Sequence, residues 1–461
     1  MSDLTPTLVA LSRWSSTVRL EQIPLAVQHA AKRCLIDTLG VMLAGSHSDV
    51  ANQARTISLA VSAAGHSALP GHAQCLSAPA AAFVNATAGH ALDFDDNCYP
   101  GVVHGSVVIM PAALAVTQMR DLDGAALLTA FVVGAECEYA LAGALTGQLY
   151  ERRWWTTGLL GVVGACAAAC HALGLDAERT ASALGIALSS TAATKACFGT
   201  DAKALMAGRT SEAGVIAALL AEQGSRGPVD IVEHANGLAA MFNAGVLKAL
   251  PLPGAHWNLL DPGVDIKRIP LCLSSHAAVD ALKDLLGSGA VALPDIAEII
   301  CDVPPIVIQN LTHDSPTQRQ QAQFSMPFAM AGTCLLGDIT LAALTPEIIN
   351  RPDMQRLMQR VSMHSSERWS TERLDQAPEG AWVKVVRTDG GSVEGFCARP
   401  LGSAVNPLSR ARLHDKFMAC ATPGMPAAQA QALLEHLEQL ERIPRVRRLL
   451  PYSHAVEQTD S

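Results

Sequence analysis

Apolar residues recur along most of the chain at the spacing of amphipathic helices. Between residues 23 and 45 they follow one another three or four positions apart, and Pro24 stands near the start. Glycines after several such stretches, for example Gly174 and Gly224, suit the left-handed residue that ends many helices. The pattern therefore predicts one helix after another, the later ones over residues 77–92, 105–118, 123–145, 158–173, 177–191 and 210–223.

The pattern changes in the segment 251–262, which is rich in proline and glycine and is predicted to be a domain boundary. Beyond it, β-branched residues over 296–303 predict a strand, and two similar runs around the sequence DGG predict a hairpin over 382–398. Further helices are predicted between these strands, over 276–286 and 323–336. This part of the chain is therefore predicted to be α+β.

Helical spacing returns after Pro400. Asn406 followed by Pro407 predicts a capped helix start that leads towards a leucine-rich helix over 427–440. A chain of 461 residues is long enough for two large domains. The simplest prediction is a mostly α fold, in which a smaller α+β lid domain (263–400) is inserted into a discontinuous all-helical domain (1–262 and 401–461).

Composition narrows the class of protein. Apolar residues make up 49% of the chain and charged residues 16%, well below the roughly 25% of an average soluble protein, which indicates a large buried interior. The net charge of −9 leaves no overall basic field, so neither nucleic acid nor a membrane surface is an expected partner. Any anion site must be a local pocket of positive charge.

The cysteines and the N-terminal sequence bear on the compartment. The twelve cysteines are scattered, several within apolar helical stretches, and are predicted to be reduced and buried. The first residues lack the features of a secretory signal, so the cytoplasm is the expected compartment. The most apolar stretch, 158–175, is predicted to be a core helix rather than a membrane span, because it is rich in glycine and alanine and contains His171.

The densest polar cluster is the sequence HALDFDDN, where Asp93, Asp95 and Asp96 fall within four residues and His104 follows. Crowded carboxylates can hold and exchange protons, and a loop histidine is the commonest general acid or base. Alternatively, these carboxylates cap helices and bind basic side chains, or they bind a divalent metal ion. The metal site is disfavoured because no acidic or histidine partner motif stands nearby, and no metal is predicted.

Two basic clusters stand further along the chain. Lys203 lies among small residues ahead of the helix predicted to begin at residue 210, where it can meet a carboxylate beside backbone N–H groups. Lys267 and Arg268 adjoin the predicted domain boundary and can clamp a carboxylate together. Ordinary solvated charges are the alternative interpretation of both clusters. The sequence contains no phosphate-binding loop, zinc-protease or serine-hydrolase motif.

Five segments in this order and spacing resemble the MmgE/PrpD family over nearly the whole chain. They are HALDFDDN, LMAGRTSEAGVIAALLAEQG, IKRIPLCLSSH, AQFSMPFAMA and NPLSRARLHDKF. The resemblance implies a homodimer and chemistry without metal or cofactor, in the cleft between a helical domain and a lid. It also implies a small polycarboxylate substrate in which a proton is moved at carbon next to a carboxylate, with cations stabilising the negative charge that develops.

The resemblance also implies which residues form the site. His104 is expected to be the acid and base, and Asp93 its orienting or proton partner. Lys203 is expected to stabilise the enolate, together with the basic pair at the boundary. The expected substrate-binding residues are Asn97, Trp155, Lys267, Arg268, Cys272 and His276.

The chain departs from the family pattern at several positions near this site. Trp155, Met206 and Cys272 stand where family members commonly carry histidine, and Phe328 replaces an aromatic hydroxyl. Gly105 replaces the usual proline after the loop histidine. The pocket is therefore expected to be more apolar than in family members and to hold fewer proton carriers.

Three functional hypotheses follow. The first is a lyase, a dehydratase or a decarboxylase, acting on a citrate- or aconitate-like polycarboxylate. The second is an epimerase or isomerase of a dicarboxylate such as an iminodisuccinate-like acid, with Lys203 and His104 as its two proton carriers. The third is a catalytically altered or inactive family member, which the missing imidazoles favour.

Overall fold

The first half of the chain folds into a layered array of helices. The structure, a computed structural model, describes residues 5–145 and 149–450. Its first ten helices are Thr7–Ser15 (α1), Leu25–Gly45 (α2), Asp49–Val61 (α3), Ala78–His90 (α4), Ser106–Met119 (α5), Gly124–Ala144 (α6), Thr156–Leu173 (α7), Ala177–Ser189 (α8), Asp201–Glu222 (α9) and Leu238–Phe242 (α10). Short strand pairs accompany them: Ala64–Ala68 (β1) with Cys75–Leu76 (β2), and Asn97–Cys98 (β3) with Val264–Asp265 (β4).

The second half combines helices with one larger sheet. Its strands are Ile296–Asp302 (β5), Val361–His364 (β6), Ala381–Arg387 (β7) and Ser392–Cys397 (β8), in the spatial order β6-β5-β7-β8. Its helices are His276–Gly287 (α11), Pro305–Asn310 (α12), Arg319–Ala322 (α13), Met326–Leu336 (α14), Pro346–Ile349 (α15), Pro352–Met358 (α16) and Thr371–Gln376 (α17). Arg410–Ala421 (α18) and Ala427–Glu438 (α19) then return to the helical part. The predicted mostly α fold with a smaller α+β region is confirmed.

Three local predictions need correction. Helix α9 begins at Asp201 rather than at residue 210. Its first two turns lack the regular spacing of apolar residues that predicts a helix, but their small residues allow them to pack against the protein interior. The pair Asn406 and Pro407 does not begin a helix, since α18 is capped by Ser409, whose hydroxyl accepts from the N–H of Arg412. Strand β6 was not predicted; it pairs with β5 in parallel, a long-range contact with no local signal.

Buried apolar side chains form two main cores. One draws on residues from 8 to 266 and again from 408 to 450, and the other on residues from 269 to 385. The domain boundaries at 262 and 400 stay a prediction, and the extremes of the predicted helical domain, residues 1–4 and 451–461, lie outside the described residues.

Helix α9 crosses α4 closely, and this crossing positions the start of α9. A Cβ atom added at Gly208 would lie 2.6 Å from the backbone oxygen of Phe83 on α4, so no larger residue fits there without movement. The contact holds the first turn of α9, with Lys203, over the end of α4 where the HALDFDDN segment begins.

Helices α6, α7 and α9 are long and apolar enough, by length and composition, to cross a membrane. In the structure the most apolar windows of these helices are 89%, 83% and 56% buried inside the protein, respectively.

Two buried glutamates of α6 differ in their surroundings. Glu136 accepts hydrogen bonds from the backbone N–H groups of Asn258 (2.8 Å) and Leu259 (2.9 Å) and from the Asn258 amide. The Glu138 carboxyl lies against α7, and its oxygens have no hydrogen-bond partner within the described part of the chain. Burial, reinforced by Asp96, raises the pKa of Glu138 to about 8, so this carboxyl is neutral at pH 7.

We expect the free energy of unfolding of Glu138→Gln, relative to that of the unmodified protein, to increase as pH rises. A free glutamate has a pKa of about 4.3, so between that pH and about 8 the folded protein holds a proton that the unfolded chain releases. The free energy of unfolding of the unmodified protein therefore falls across this window, by up to about 1.4 kcal/mol per pH unit. Urea denaturation at several pH values measures the difference between the two proteins.

The matched control is Glu136→Gln on the same helix. It replaces an oxygen that accepts backbone hydrogen bonds, so we expect a net loss of stability. Burial raises the pKa of Glu136 too, so this loss should shrink as pH rises, whereas Glu138→Gln should turn into a gain. A difference between Glu138→Gln and the unmodified protein that does not change with pH would contradict a neutral Glu138.

Candidate active site

A narrow cavity lies where the helical part meets the lid. Six of the predicted site residues line it: Asn97, His104, Trp155, Lys203, Lys267 and Cys272. A wider cleft lies behind this cavity and is lined by Arg268, Phe94 and Lys416 among others. The narrow cavity is the candidate active site, because it alone collects the predicted acid–base and cationic groups.

Two features of the fold bring these residues together. The pairing of β3 with β4 sets Asn97 opposite Asp265, so the HALDFDDN loop runs beside the segment that carries Lys267. His104 and Trp155 immediately precede the starts of α5 and α7, and Lys203 lies in the first turn of α9. Because helix N-termini carry partial positive charge, this arrangement favours an anionic ligand.

Asp93 binds both lysines of the cavity. Lys203 Nζ contacts one of its carboxylate oxygens, and Lys267 Nζ lies 2.9 Å from the other and 2.7 Å from the Asp93 backbone oxygen. Asp93 adopts a left-handed conformation (φ 48°), which suits this double contact. Burial alone would raise the pKa of Asp93, but the two ammonium groups outweigh it and hold the pKa far below its usual range. The carboxylate therefore stays ionised.

Aromatic rings surround the Lys203 ammonium on its other sides. Its Nζ lies 5.0 Å from the ring centroid of Phe324, 5.1 Å from that of Phe198 and 5.8 Å from that of Trp155. Such contacts attract a cation to the ring face. Trp155 thus forms an apolar wall of the cavity that also stabilises a cation.

His104 is oriented by the loop that precedes it. Its Nδ1 lies 2.9 Å from the backbone oxygen of Asp96 and 3.1 Å from a carboxylate oxygen of Asp95. A carbonyl oxygen only accepts, so Nδ1 carries a hydrogen and Nε2 is left for chemistry in the cavity. His90 Nδ1 contacts the same Asp95 oxygen at 2.8 Å, and burial lowers the pKa of His90 to about 4. His90 is therefore a neutral support for Asp95.

Asp95 supplies negative charge beside His104. Burial would raise the pKa of the Asp95 carboxyl, but His90 and His104 outweigh burial and hold that pKa well below its usual range. The ionised Asp95 carboxylate and the Asp96 carbonyl oxygen together fix the orientation of the His104 ring. The arrangement therefore suits a histidine that accepts a proton and then delivers it.

Ligand-type atoms of His90, Asp95 and His104 lie within 4.8 Å of one another, a spacing that a metal ion can bridge. The hydrogen bonds among these three side chains account for the cluster without an ion. The predicted metal-free site stays a prediction.

Asn97 and Cys272 contribute neutral polar groups to the cavity. The Asn97 side-chain nitrogen has no hydrogen-bond partner among the residues that the structure describes, so its donors are available to a ligand. Burial, with Asp93 nearby, raises the pKa of Cys272 to about 11, which keeps it a thiol at neutral pH. Neither residue carries charge into the cavity.

Three predicted residues do not line the cavity. Asp93 lies behind the two lysines that it binds. Arg268 pairs with Asp280 and with Asp338 (3.2 Å) in the wider cleft, which directs it away from the cavity that Lys267 lines. The predicted clamp of Lys267 with Arg268 is therefore not formed. His276 begins α11, and its Nε2 contacts the backbone oxygen of Leu271 (3.2 Å). Burial, reinforced by Arg268, lowers the pKa of His276, which leaves a neutral side chain in the lid core.

Other departures from the family pattern also lie outside the cavity. Phe328 is fully buried in the lid core, and Met206 borders a separate surface pocket. Gly105 lies against the Tyr139 hydroxyl, where any side chain would collide. Of the departures considered, Trp155 and Cys272 are those that change the cavity wall.

Sequence reasoning missed four polar residues of the cavity: Tyr150, Ser274, Asn310 and Glu379. They come from four separate segments, of which only that of Ser274, in IKRIPLCLSSH, is singled out by the sequence. Only their long-range hydrogen bonds reveal them, so no local signal in the sequence could have found them.

The chain matches two family models, the MmgE/PrpD N-terminal domain over residues 9–248 and the MmgE/PrpD C-terminal domain over residues 269–442. It therefore belongs to the MmgE/PrpD family, and it is a lyase of that family.

Individual relatives span almost the whole chain. Cis-aconitate decarboxylase of Homo sapiens is 29% identical over 89% of this chain and 87% of its own length. The enzyme of the same name from Mus musculus is 28% identical, over 89% of this chain and 86% of its own. Cis-aconitate decarboxylase of Aspergillus terreus is 21% identical over 95% and 94%, respectively.

Asp93→Asn is expected to destabilise the folded protein strongly. Lys267, only 1% exposed, would remain buried without its counter-charge, and removing one partner of a buried ion pair costs about 3–5 kcal/mol. Urea denaturation at neutral pH measures the loss. Asp389→Asn, in the exposed hairpin pair with Arg387, serves as the control and should leave stability unchanged. Equal stability of the two variants would show that Asp93 does not hold the lysines as described.

Proposed function

We propose that this lyase releases carbon dioxide from a small unsaturated polycarboxylate similar to cis-aconitate. The observation that carries the proposal is the pair of buried lysines on Asp93 beside the oriented imidazole of His104. The relatives named cis-aconitate decarboxylase support the same reaction class. The proposed reaction uses no metal or cofactor. We also expect the protein to be a homodimer and to be located in the cytoplasm.

Substrate carboxylates would bind where the lysines leave donors free. Each ammonium has three N–H groups; Lys203 directs one to Asp93, and Lys267 directs two to the carboxylate and carbonyl of Asp93. The remaining N–H groups, with the amide of Asn97, can hold a carboxylate. Charge-assisted hydrogen bonds of this kind are stronger than neutral ones.

Decarboxylation would then need one proton carrier. The carbon–carbon bond to the leaving carboxylate breaks, carbon dioxide departs, and the electron pair is delocalised through the adjacent carbon–carbon double bond into the conjugated carboxylate, as an extended enolate that the lysines stabilise. His104, protonated from solvent at Nε2 and supported by Asp95, gives its proton to carbon and is protonated again for the next cycle.

The number of proton carriers favours decarboxylation over the other hypotheses. Dehydration needs a base and an acid at the leaving hydroxide, and epimerisation needs two carriers on opposite faces of one carbon. Among the described residues that line the cavity, His104 is the one imidazole. Trp155 and Cys272 supply no second carrier near neutral pH, since indole does not titrate there and the pKa of the Cys272 thiol is raised to about 11. Lys203 contacts the Asp93 carboxylate, which assigns its ammonium to charge stabilisation rather than to proton transfer.

The reaction class is tested by NMR in deuterated water with a panel of di- and tricarboxylates that includes cis-aconitate. We expect loss of carbon dioxide and one deuterium at one end of the three-carbon unit over which the electron pair is delocalised. Loss of water would indicate a dehydratase, and deuterium uptake with inversion an epimerase. If none of the carboxylates in the panel changes, the protein would be an inactive member of the family. Each of these three results would contradict the proposal.

We expect His104→Asn to lower kcat at least 100-fold, which is the usual contribution of a general acid. Asparagine can still donate to the Asp96 carbonyl but lacks the Nε2 atom, so KM and the melting temperature should change little. Steady-state kinetics and thermal denaturation measure these quantities. His29→Asn, on the exposed side of α2, is the control. Retention of full kcat by His104→Asn would remove this histidine from the reaction.

A further inference from the structure

A buried carboxylate forms part of the cavity wall on the lid side. Glu379, in the turn that precedes β7, is only 7% exposed and lines the cavity together with Ser274 and Asn310. A negative group is unexpected there, because the cavity is proposed to receive a substrate that is itself negative. The presence of Glu379 therefore bears on which substrate fits.

Hydrogen bonds fix the charge of Glu379. The Tyr150 hydroxyl donates to the Asn310 side-chain oxygen (2.8 Å), so the Asn310 side-chain nitrogen faces Ser274 and donates to its hydroxyl oxygen (3.0 Å). The Ser274 hydroxyl hydrogen is then directed to one oxygen of Glu379. The Tyr99 hydroxyl donates to the other oxygen (2.9 Å). Hydrogen bonds donated to both oxygens stabilise the ionised form of a carboxyl group, so the arrangement favours a carboxylate at Glu379.

The same hydrogen bonds fix the position of Glu379. Tyr99 follows β3 in the helical part, whereas Ser274 precedes α11 in the lid, so the carboxylate is held from both sides of the cavity. A group held at both oxygens cannot turn away when a ligand enters. The negative charge is therefore a fixed feature of the wall.

The charges around the cavity are nearly balanced. Asp93 and Glu379 offset the positive charges of Lys203 and Lys267. The Lys195 ammonium lies 3.0 Å from the ring centroid of Tyr150 and adds positive charge near the cavity, since burial lowers its pKa only to about 8. It makes no ion pair with Glu379 within the described part of the chain. A fully ionised tricarboxylate would bring three negative charges into this setting, and its third carboxylate would face Glu379 without a cation between them.

We infer that Glu379 determines substrate specificity by excluding a carboxylate from the lid side of the cavity. The substrate is then a dicarboxylate whose third arm carries a hydrogen-bond donor, such as a hydroxyl or an amide N–H. Two lone-pair sites of Glu379 stay free for that donor, since a carboxylate offers about four and two are occupied. The inference rests on the proposed function, because it assumes a polycarboxylate bound at the lysines.

The test uses cis-aconitate and its three monoamides, in each of which one carboxylate is replaced by a carboxamide of nearly the same shape. We expect the unmodified protein to turn over one monoamide with kcat/KM at least tenfold above that for cis-aconitate. In Glu379→Gln the order should reverse, because the glutamine amide donates to a carboxylate and its negative charge is gone. Tyr99→Phe, which removes one hydrogen bond to Glu379 but keeps its charge, should not reverse the order.

A binding measurement separates this inference from the proposed reaction. Calorimetry compares propane-1,2,3-tricarboxylate, which is saturated, with its monoamides on the unmodified protein, so neither turnover nor a stable variant is needed. Tighter binding of one monoamide by at least tenfold supports the role of Glu379, even if no ligand loses carbon dioxide. Tighter binding of the tricarboxylate than of every monoamide would overturn the inference, as would an unchanged order in a folded Glu379→Gln.

Discussion

The ion cluster centred on Asp93 is the interaction on which the site depends. Its carboxylate binds Lys203 from the start of α9 and Lys267 from the segment that enters the lid. Both lysines are buried, and an ammonium in that position without a partner would carry an uncompensated desolvation cost of several kcal/mol. The cluster therefore joins two distant parts of the chain and directs the remaining N–H groups into the cavity at the same time.

Several titratable side chains around the Asp93 cluster are neutral at pH 7. Burial lowers the pKa of His90 to about 4 and raises those of Glu138 and Cys272 to about 8 and 11, so none of them is ionised at pH 7. Charges interact strongly where water is excluded. The electrostatics of the cavity and its support then depend mainly on six charged groups: Asp93, Asp95, Lys195, Lys203, Lys267 and Glu379.

Local patterns made part of this structure predictable. Helical periodicity located the helices, and the HALDFDDN loop located Asp93 and His104, because both signals lie within short segments. The pairing of β3 with β4 and the chain from Tyr150 to Glu379 join residues far apart in sequence, so they left no such signal. Arg268 is next to Lys267 in the sequence, yet the sequence alone does not show in which direction its side chain points. Only the structure shows that it points away from Lys267, towards Asp280.

Trp155, at a position where the resemblance to the family leads us to expect an imidazole, gives the cavity a wall that supports a cation. The indole ring stacks on His90 at 5.4 Å between ring centroids and faces the Lys203 ammonium, so it supports a cation but carries no proton. In the proposed reaction such a wall would help to stabilise an enolate and would offer no base for a second proton. With Glu379 on the lid side and His104 as the one imidazole among the described residues that line the cavity, the proposal restricts both the reaction and the number of carboxylates that fit.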